Sequence, residues 1–182
     1  MNKLLKIFKT KIYFDQYLFI SITLLSIMGL IFLYSASQGN IETAIKQSFF
    51  VALGLVLMFL LSQVDPDFYK NNALFFLMLS ISLIVLTIFF GKEVNGARRW
   101  LDLGFFTLQP SEIVKIALPV FLAAYLYNKP LPISLLNTAI SMIVIIIIVN
   151  LVRIQPDLGT SLVIFIAGLY ILFLAGLSWK FI

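Results

Sequence analysis

Apolar residues along this chain are grouped in long runs, and short polar segments separate the runs. Most runs are close to the roughly twenty residues that an α-helix needs to cross about 30 Å of hydrocarbon. Their Ile- and Phe-rich composition is typical of strands in water, but a chain in lipid must satisfy every backbone hydrogen bond internally, which favours helices. The pattern therefore predicts six membrane-spanning helices, at about residues 17–35, 47–61, 73–90, 110–127, 133–152 and 158–177.

The composition agrees with this class of protein and excludes a soluble domain. Of the 182 residues, 62% are hydrophobic and 12% are charged, whereas about a quarter of the residues of a soluble domain are charged. We therefore predict an all-α membrane protein, a polytopic helical bundle in which residues 1–182 form a single transmembrane domain. The chain has no cysteine and no histidine. This excludes disulfides and thiolate metal sites and leaves carboxylates, Lys and Tyr for acid–base chemistry.

Positive charges before the first span predict the orientation of the chain. Cytoplasmic segments carry an excess of Lys and Arg, so we expect a cytoplasmic N-terminus, with the loops at 36–46, 91–109 and 153–157 outside. The later loops do not follow the rule, because more of their basic residues fall outside than inside. A cleaved signal peptide ending near Ser37 is the alternative, but the first apolar run exceeds the about 7–15 residues of a signal-peptide core. The orientation rests on Lys3, Lys6, Lys9 and Lys11.

The loop at 91–109 carries the first candidate site. Arg98, Arg99 and Trp100 follow an Asn-Gly pair, which favours a tight turn. Guanidinium groups suit bidentate phosphate binding, and an indole ring offers a flat face for stacking. A ligand with a phosphate and a sugar would suit this composition. The alternative is a loop that only anchors the chain at the lipid headgroups.

The start of the fourth span carries two opposite charges. Pro110 suits the first position of a helix, and Glu112 then lies in the first turn, where negative charge is favourable. Lys115 shares a helix face with Glu112 at i+3 spacing. Lys115 lies within an apolar span, and this position predicts that its side chain faces a protein interior or a water-filled cavity. The alternative is an ion pair at a helix end. Pro119 is expected to kink the span and widen such a cavity.

The turn before the sixth span carries the third candidate residue, Asp157. Pro156 is expected to be the first helical residue, with Asp157 directly behind it. The carboxylate could serve a function at this end of the bundle or could only satisfy the helix N-terminus, and the residues leave both interpretations open. Gly159, Thr160 and Ser161 are small, which favours a close approach of two helices at this point.

These segments together resemble the SEDS family of bacterial cell-wall proteins, whose branches include RodA, FtsW and SpoVE. The order of the segments and their placement relative to the spans match that family. The RodA branch is the nearer one, through residues 100–104, the ending 173–180, and Ser111, where the division branch often has Ala. The stretches that carry the resemblance are Asn95-Gly96-Ala97-Arg98-Arg99-Trp100-Leu101, Gln109-Pro110-Ser111-Glu112-Ile113-Val114-Lys115 and Gln155-Pro156-Asp157-Leu158-Gly159-Thr160-Ser161.

The resemblance implies a peptidoglycan glycosyltransferase that polymerises lipid II in cell-wall elongation and cell-shape maintenance. In such enzymes the sugar hydroxyl of the acceptor attacks the anomeric carbon of the donor chain, and the undecaprenyl pyrophosphate leaves with inversion. The resemblance also implies a location in the bacterial cytoplasmic membrane and a class B penicillin-binding protein as partner. A divalent cation, Mg²⁺ or Mn²⁺, is implied as cofactor, and no nucleic-acid partner is expected.

The substrate-binding residues that the resemblance implies are those already singled out. Arg98 and Arg99 would hold the pyrophosphate, and Trp100 would shape the lipid or sugar site. The residues that would line the central cavity are Glu112, Lys115 and Asp157.

The resemblance covers roughly the N-terminal half of the family's fold. The family's catalytic aspartate lies in an outer loop that would follow Ile182, so no catalytic residue is assigned, and Asp157 does not take that role. We therefore expect the chain to be a fragment that is inactive by itself. Two functions from other classes remain open. A flippase or transporter of lipid-linked precursors would also hold polar residues inside a helical bundle, and a non-enzymatic membrane scaffold is the third hypothesis.

Overall fold

The computed structural model describes residues 15–94, 96–104 and 106–176. The four N-terminal lysines on which the predicted orientation rests lie outside the described residues, as do Asn95 and residues 177–182. The chain divides into two compact units, Met1–Phe68 and Tyr69–Ile182. Each unit is described by itself below.

Each run that was predicted to span the membrane is helical over most of its described length. Among the described residues, the helices are α1 (Gln16–Ala36), α2 (Ile41–Ser62), α3 (Pro66–Asn71), α4 (Ala73–Phe90), α5 (Pro110–Leu126), α6 (Leu135–Ile154) and α7 (Leu158–Leu174). By length and composition, α1, α2, α4 and α6 can each cross a membrane, and α7 is a shorter apolar helix. Helix α5 has 17 residues, which is at the lower end of the length of a span. The predicted fold class, an all-α polytopic membrane protein, is confirmed.

The second helix begins earlier than the apolar pattern predicts. It starts at Ile41 instead of about residue 47, because the side chain of Asn40 accepts a hydrogen bond from the Thr43 backbone N–H at 3.1 Å. This is a common N-cap arrangement. Lys46, which was expected in a loop, therefore lies inside α2. The polar first turn of this helix interrupts the apolar run, and the run alone does not mark the helix start.

A small antiparallel sheet occupies most of the loop between α4 and α5. Strands β1 (Lys92–Val94), β2 (Ala97–Asp102) and β3 (Thr107–Leu108) pair in the order β1-β2-β3. Residues 95 and 96 join β1 to β2, and Gly96 has a φ of 75°, which a residue without a Cβ adopts at little cost. The sheet was not predicted from the sequence, and neither was the short helix α3.

In the first unit, α1 and α2 pack against each other across the turn at 37–40. No residue of either helix is buried in the described chain. The apolar side chains of both helices therefore remain on the surface, where lipid is the matching solvent.

The second unit has a core formed by α4, α5, α6 and α7. Helix α5 packs against both α4 and α7 and also contacts α6. In lipid, helices associate through close packing and hydrogen bonds and not through the hydrophobic effect. One such bond joins α5 to α6, where Tyr125 Oη donates to Asn137 Oδ1 at 3.0 Å. The fully buried apolar side chains of the core include Leu77, Ile84, Val114, Leu118, Leu122, Ile145, Ile148, Val152, Ile164 and Leu172.

The close approach of helices that was predicted at Gly159 occurs elsewhere. A Cβ built on Gly159 has no atom within 4 Å, so that prediction is wrong for this residue. A Cβ built on Gly168 would lie 2.8 Å from Cδ1 of Ile145, so α6 and α7 are in contact about three turns beyond the start of α7. Ser161, another small residue of the prediction, is buried.

Candidate functional site

The three sequence segments singled out above meet at one end of the second unit. Strand β2, the start of α5 and the turn between α6 and α7 are joined by side-chain hydrogen bonds at this end. We call the residues that make these bonds the polar junction. They are Arg99, Gln109, Ser111, Gln155, Pro156 and Asp157.

Arg99 holds β2 against the turn between α6 and α7. Its Nε donates to the carbonyl oxygen of Gln155 at 3.0 Å, and its Nη2 donates to the carbonyl oxygen of Pro156. The last carbonyls of a helix have no partner within the helix and carry partial negative charge. A guanidinium group with several donors in a fixed plane suits two such acceptors. The ring of Trp100 lies 6.0 Å from Arg99 Cζ, at the outer limit of a cation–π contact.

Gln155 continues this connection into the core. The residue ends α6 and is only 3% exposed. Its side-chain Nε2 faces the carbonyl oxygen of Ile84 in α4 at 3.5 Å, which is a long contact. The turn that Arg99 binds is therefore also close to α4.

Asp157 connects the first turns of two helices. The residue is 8% exposed, and its Oδ1 accepts from the Thr160 backbone N–H at 3.2 Å, as the N-cap of α7. Its Oδ2 accepts from Gln109 Nε2 at 3.1 Å, and the same amide nitrogen lies 3.0 Å from Ser111 Oγ at the start of α5. Capping of the helix, one of the two interpretations left open, is thus present. Helix α7 begins at Leu158, so the expectation that Pro156 is its first residue is wrong.

Glu112 and Lys115 form an ion pair on α5. Lys115 Nζ lies 2.7 Å from Glu112 Oε1, and the lysine side chain is 29% exposed against 56% for the glutamate. Among the described residues, neither side chain bonds to the polar junction. The lysine is therefore the more enclosed member of a pair on the same helix that supplies Ser111 to the junction.

Among the described residues, Arg98 makes no bond to the junction, although it is adjacent to Arg99 and lines a cavity of about 240 Å³ together with Gln155 and Pro156. Successive side chains of a strand point to opposite faces. Arg98 Nη2 pairs with Glu93 Oε2 at 3.2 Å, with both side chains more than half exposed. The two arginines thus do not form one clamp in this structure, and only Arg99 reaches the junction.

A second ion pair lies on the sheet. Lys92 Nζ is 3.1 Å from Asp102 Oδ2, and Asp102 Oδ1 accepts from the Gly104 backbone N–H at 2.9 Å. The hydrogen bond from Gly104, followed by the bond and charge of Lys92, lowers the pKa of Asp102 below its ordinary value of 3.8.

An apolar groove runs along α5 beside the ion pair. It has a volume of about 330 Å³, and of the described residues that line it Glu112 alone is charged. A groove with apolar walls and a carboxylate fits a hydrocarbon chain better than a sugar. The lining residues are Tyr69, Phe76, Glu112, Ile113, Ile116, Ala117 and Val120.

Two glutamines of the junction had no role in the sequence-based prediction. Gln109 and Gln155 each precede a proline, which is the first residue of α5 in one case and lies in the turn before α7 in the other. The repeated Gln-Pro pair is the signal that could have indicated them, because a proline restricts the residue before it and often marks the boundary of a helix. Gln109 is extended before α5, whereas Gln155 ends α6 and is not extended. The structure shows that one glutamine contributes its amide and the other its carbonyl oxygen to the junction.

The side chains at the polar junction do not by themselves form a site for a divalent cation. Mg²⁺ usually takes one or two protein carboxylates together with phosphate oxygens and waters. The described residues contain no group of three His, Cys, Asp or Glu side chains, and both oxygens of Asp157 already accept hydrogen bonds. The Mg²⁺ or Mn²⁺ ion stays a prediction, and no step below passes through it.

The fold and the polar junction define a polytopic helical membrane protein with a polar site at one end of its second unit. A family model described as a cell cycle protein, FtsW/RodA/SpoVE, matches residues 15–182. The chain belongs to this family, as the resemblance predicted.

Three similar proteins support this assignment. The peptidoglycan glycosyltransferase MrdB of Escherichia coli K12 is 38% identical over 177 residues, which are 97% of this chain and 48% of that protein. A crystal structure of the Thermus thermophilus rod shape determining protein RodA matches with a TM-score of 0.86 at 29% identity, over 95% of this chain and 57% of that chain. A chain from a peptidoglycan synthase complex that coordinates polymerization and crosslinking matches with a TM-score of 0.86 at 30% identity, over 94% of this chain and 51% of that chain. This chain thus spans about half the length of the relatives it matches.

Proposed function

We propose that this chain serves a peptidoglycan glycosyltransferase of the RodA type, which polymerises lipid II in cell-wall elongation and the maintenance of cell shape. The proposal rests on the polar junction, which is present in a chain that belongs to this family. Arg99 reaches a turn 56 residues away in sequence, and Gln109 reaches Asp157. Three segments that are far apart in sequence are thus held in one place.

In this proposal the residues at this end bind and orient the lipid-linked sugar. The apolar groove along α5 receives part of the hydrocarbon chain, and Lys115 contributes one of the positive charges that the pyrophosphate needs close to the groove. Trp100 offers its ring to a sugar, because flat apolar faces of sugars pack on aromatic rings. Asp157 keeps α5 and α7 in register through Gln109. None of these residues is assigned the transfer of a proton.

Two observations favour the RodA branch. Residues 100–104 and Ser111 carry the pattern of that branch, and the Thermus thermophilus structure that matches is named a rod shape determining protein.

The location and partners are proposed on similar grounds. We place the chain in the bacterial cytoplasmic membrane, with its N-terminus in the cytoplasm and the sheet outside. A class B penicillin-binding protein is the proposed partner, and lipid II is the substrate. The match to a chain from a complex of polymerization and crosslinking supports a partner with crosslinking activity.

A chimera tests the proposal directly. This chain replaces the matching 177-residue segment of E. coli MrdB, and the product is purified with its class B penicillin-binding protein. Labelled lipid II is added, and glycan strands are resolved on a gel. We expect polymer from the chimera. We expect Lys115→Ala to lower the rate by roughly tenfold or more, because a bond to a charged group contributes about 1.5–3 kcal/mol.

The matched control is Lys129→Ala at the opposite end of α5, where the ammonium group lies 5.4 Å from the Tyr125 ring. This variant should retain the chimera's rate. A chimera that inserts at the normal level and gives no polymer, while unaltered MrdB is active, contradicts the proposal. Transfer of labelled lipid II across a vesicle bilayer without polymer would point to a flippase, and neither activity would point to a scaffold.

A further inference from the structure

A second groove lies between α6 and α7, away from the groove along α5. It has a volume of about 560 Å³. Its walls are mainly apolar, and one charged residue, Arg153, lies in its lining. The lining residues are Val149, Arg153, Leu158, Gly159, Ser161, Leu162 and Phe165.

Arg153 is a cation without a partner in the described chain. It lies in the last turn of α6 and is exposed. Its side chain has no hydrogen bond or ion pair with any other described residue, whereas Arg98 and Arg99 both have partners. Helix α6 can cross a membrane, so a residue in its last turn lies at the level of the lipid headgroups. A guanidinium group at this level pairs readily with a phosphate.

Gly159 keeps the groove open without any role in the packing of the described residues. A glycine within a helix costs up to about 1 kcal/mol relative to alanine. At Gly168 the close contact with Ile145 accounts for that cost, but a Cβ on Gly159 would enter empty space. The position is thus compatible with a larger residue, and its small size leaves room beside Leu158 and Leu162, which are 73% and 57% exposed.

We propose that the α6–α7 groove binds an anionic glycerophospholipid. Its acyl chain lies along Leu162 and Phe165, and its phosphodiester pairs with Arg153. The single positive charge of Arg153 distinguishes between the ligands that could fill the groove. One guanidinium group balances the single charge of a phosphodiester, whereas a pyrophosphate carries more negative charge than one arginine balances. A neighbouring transmembrane helix without an acidic residue would cover the apolar walls but leave the arginine without a counter-ion.

Native mass spectrometry of the detergent-solubilised chain tests the proposal. Dioleoyl phosphatidylglycerol and dioleoyl phosphatidylcholine are added separately at equal concentrations, and retained lipid is counted. We expect preferential retention of phosphatidylglycerol. Arg153→Gln should weaken that retention roughly fivefold, the size expected for one basic residue near an anionic lipid. Lys46→Gln, which removes an exposed charge from α2, should leave it unchanged.

A second pair of variants tests the cavity and not the charge. Gly159→Leu fills the groove, and we expect it to reduce phosphatidylglycerol retention with Arg153 intact. The matched control is Gly54→Leu in α2, where a Cβ also meets no atom within 4 Å. If Gly159→Leu does not fold, the Arg153→Gln comparison decides alone.

Three outcomes overturn the proposal. The first is equal retention of the two phospholipids, or retention that Arg153→Gln does not change. The second is stronger retention of undecaprenyl pyrophosphate than of phosphatidylglycerol at this groove. The third is a change in oligomeric state on Gly159→Leu with unchanged lipid binding, which would assign the groove to a helix. The first and third outcomes do not affect the glycosyltransferase proposal, because Arg153 does not belong to the polar junction. The second would move the lipid carrier of the substrate from the α5 groove to this one.

Discussion

Arg99 satisfies two main-chain carbonyls at once, and this dual role depends on its planar group. A lysine ammonium could reach one of these oxygens, but it cannot present two donors in a fixed plane. Both acceptors belong to the end of α6 and the turn after it. If the bonds were lost, the carbonyls would face a partly buried region without a partner, which costs more than the bonds themselves contribute.

Replacement of this residue should therefore lower stability measurably. We expect Arg99→Lys to reduce the free energy of unfolding by about 1–3 kcal/mol, measured by thermal unfolding in detergent with tryptophan fluorescence. Arg98→Lys is the matched control. Its ion pair with Glu93 is exposed on both sides, and such pairs contribute about 0–1 kcal/mol. Equal effects of the two variants would contradict the anchoring role of Arg99.

At the scale of elements, the sheet depends on a carboxylate at its end. The pKa of Asp102 is lowered by the Gly104 N–H and by Lys92. A group with a lowered pKa in the folded state contributes stability at pH values above its unfolded pKa, and this contribution is lost as pH falls through the folded pKa. The ordinary value is 3.8, so the contribution is complete at neutral pH and disappears in acid below that value.

This gives a prediction for the sheet as a function of pH. We expect amide hydrogen exchange in β1 and β2 to speed up on acidification below pH 3.8, beyond the intrinsic change of exchange chemistry. Asp102→Asn should remove this extra dependence and retain its acceptor for Gly104. If the extra dependence persists in Asp102→Asn, another group is responsible.

The contact of α6 with α7 leads to a second prediction at this scale. A Cβ at residue 168 would lie 2.8 Å from Cδ1 and Cγ1 of Ile145. We expect Gly168→Val to destabilise the second unit by about 1–3 kcal/mol through overpacking, measured by thermal unfolding in detergent. Ile145→Ala in the same chain should restore part of the loss, because it removes the atoms that clash. A double variant that is no more stable than Gly168→Val would contradict this explanation.

The helices could be predicted from the sequence and the sheet could not, for a physical reason. A helix in lipid must be long and apolar, and this length gives a clear pattern. The strands have three, six and two residues, and β2 begins Ala97-Arg98-Arg99, so neither length nor alternation marks them. The start of α2 was missed in a similar way, because Glu42 and Lys46 interrupt the apolar run within the helix.

For the whole molecule, part of the polar junction was singled out from the sequence, but the contacts within it were not. Arg99, Asp157 and Lys115 were singled out from charge and position. The partners of Arg99 could not be predicted, because they are main-chain atoms of a segment 56 residues away. The sequence of one short segment cannot indicate a contact of this kind. Gly159 was assigned to packing for a related reason, since sequence shows that a residue is small but not what lies beside it.

Because the chain has no cysteine, single cysteines introduced into it can report its orientation in the membrane. Thr107 in β3 and Asn128 after α5 are exposed and flank the 17-residue helix α5. We expect Thr107→Cys to react with a membrane-impermeant maleimide in intact cells, and Asn128→Cys to react only after the membrane is opened. The unaltered chain has no cysteine, so it supplies the background. The reverse pattern would place the N-terminus outside and overturn the proposed orientation.

The bonds of Arg99 to main-chain oxygens have a consequence for how this protein can evolve. Every residue at position 156 brings a carbonyl oxygen, so no mutation there deletes that acceptor. A mutation at position 99 deletes both donors at once. The constraint therefore falls on the residue type at position 99 and not on that at position 156. Position 156 can drift in sequence as long as the turn keeps its shape, while position 99 tolerates almost no other residue.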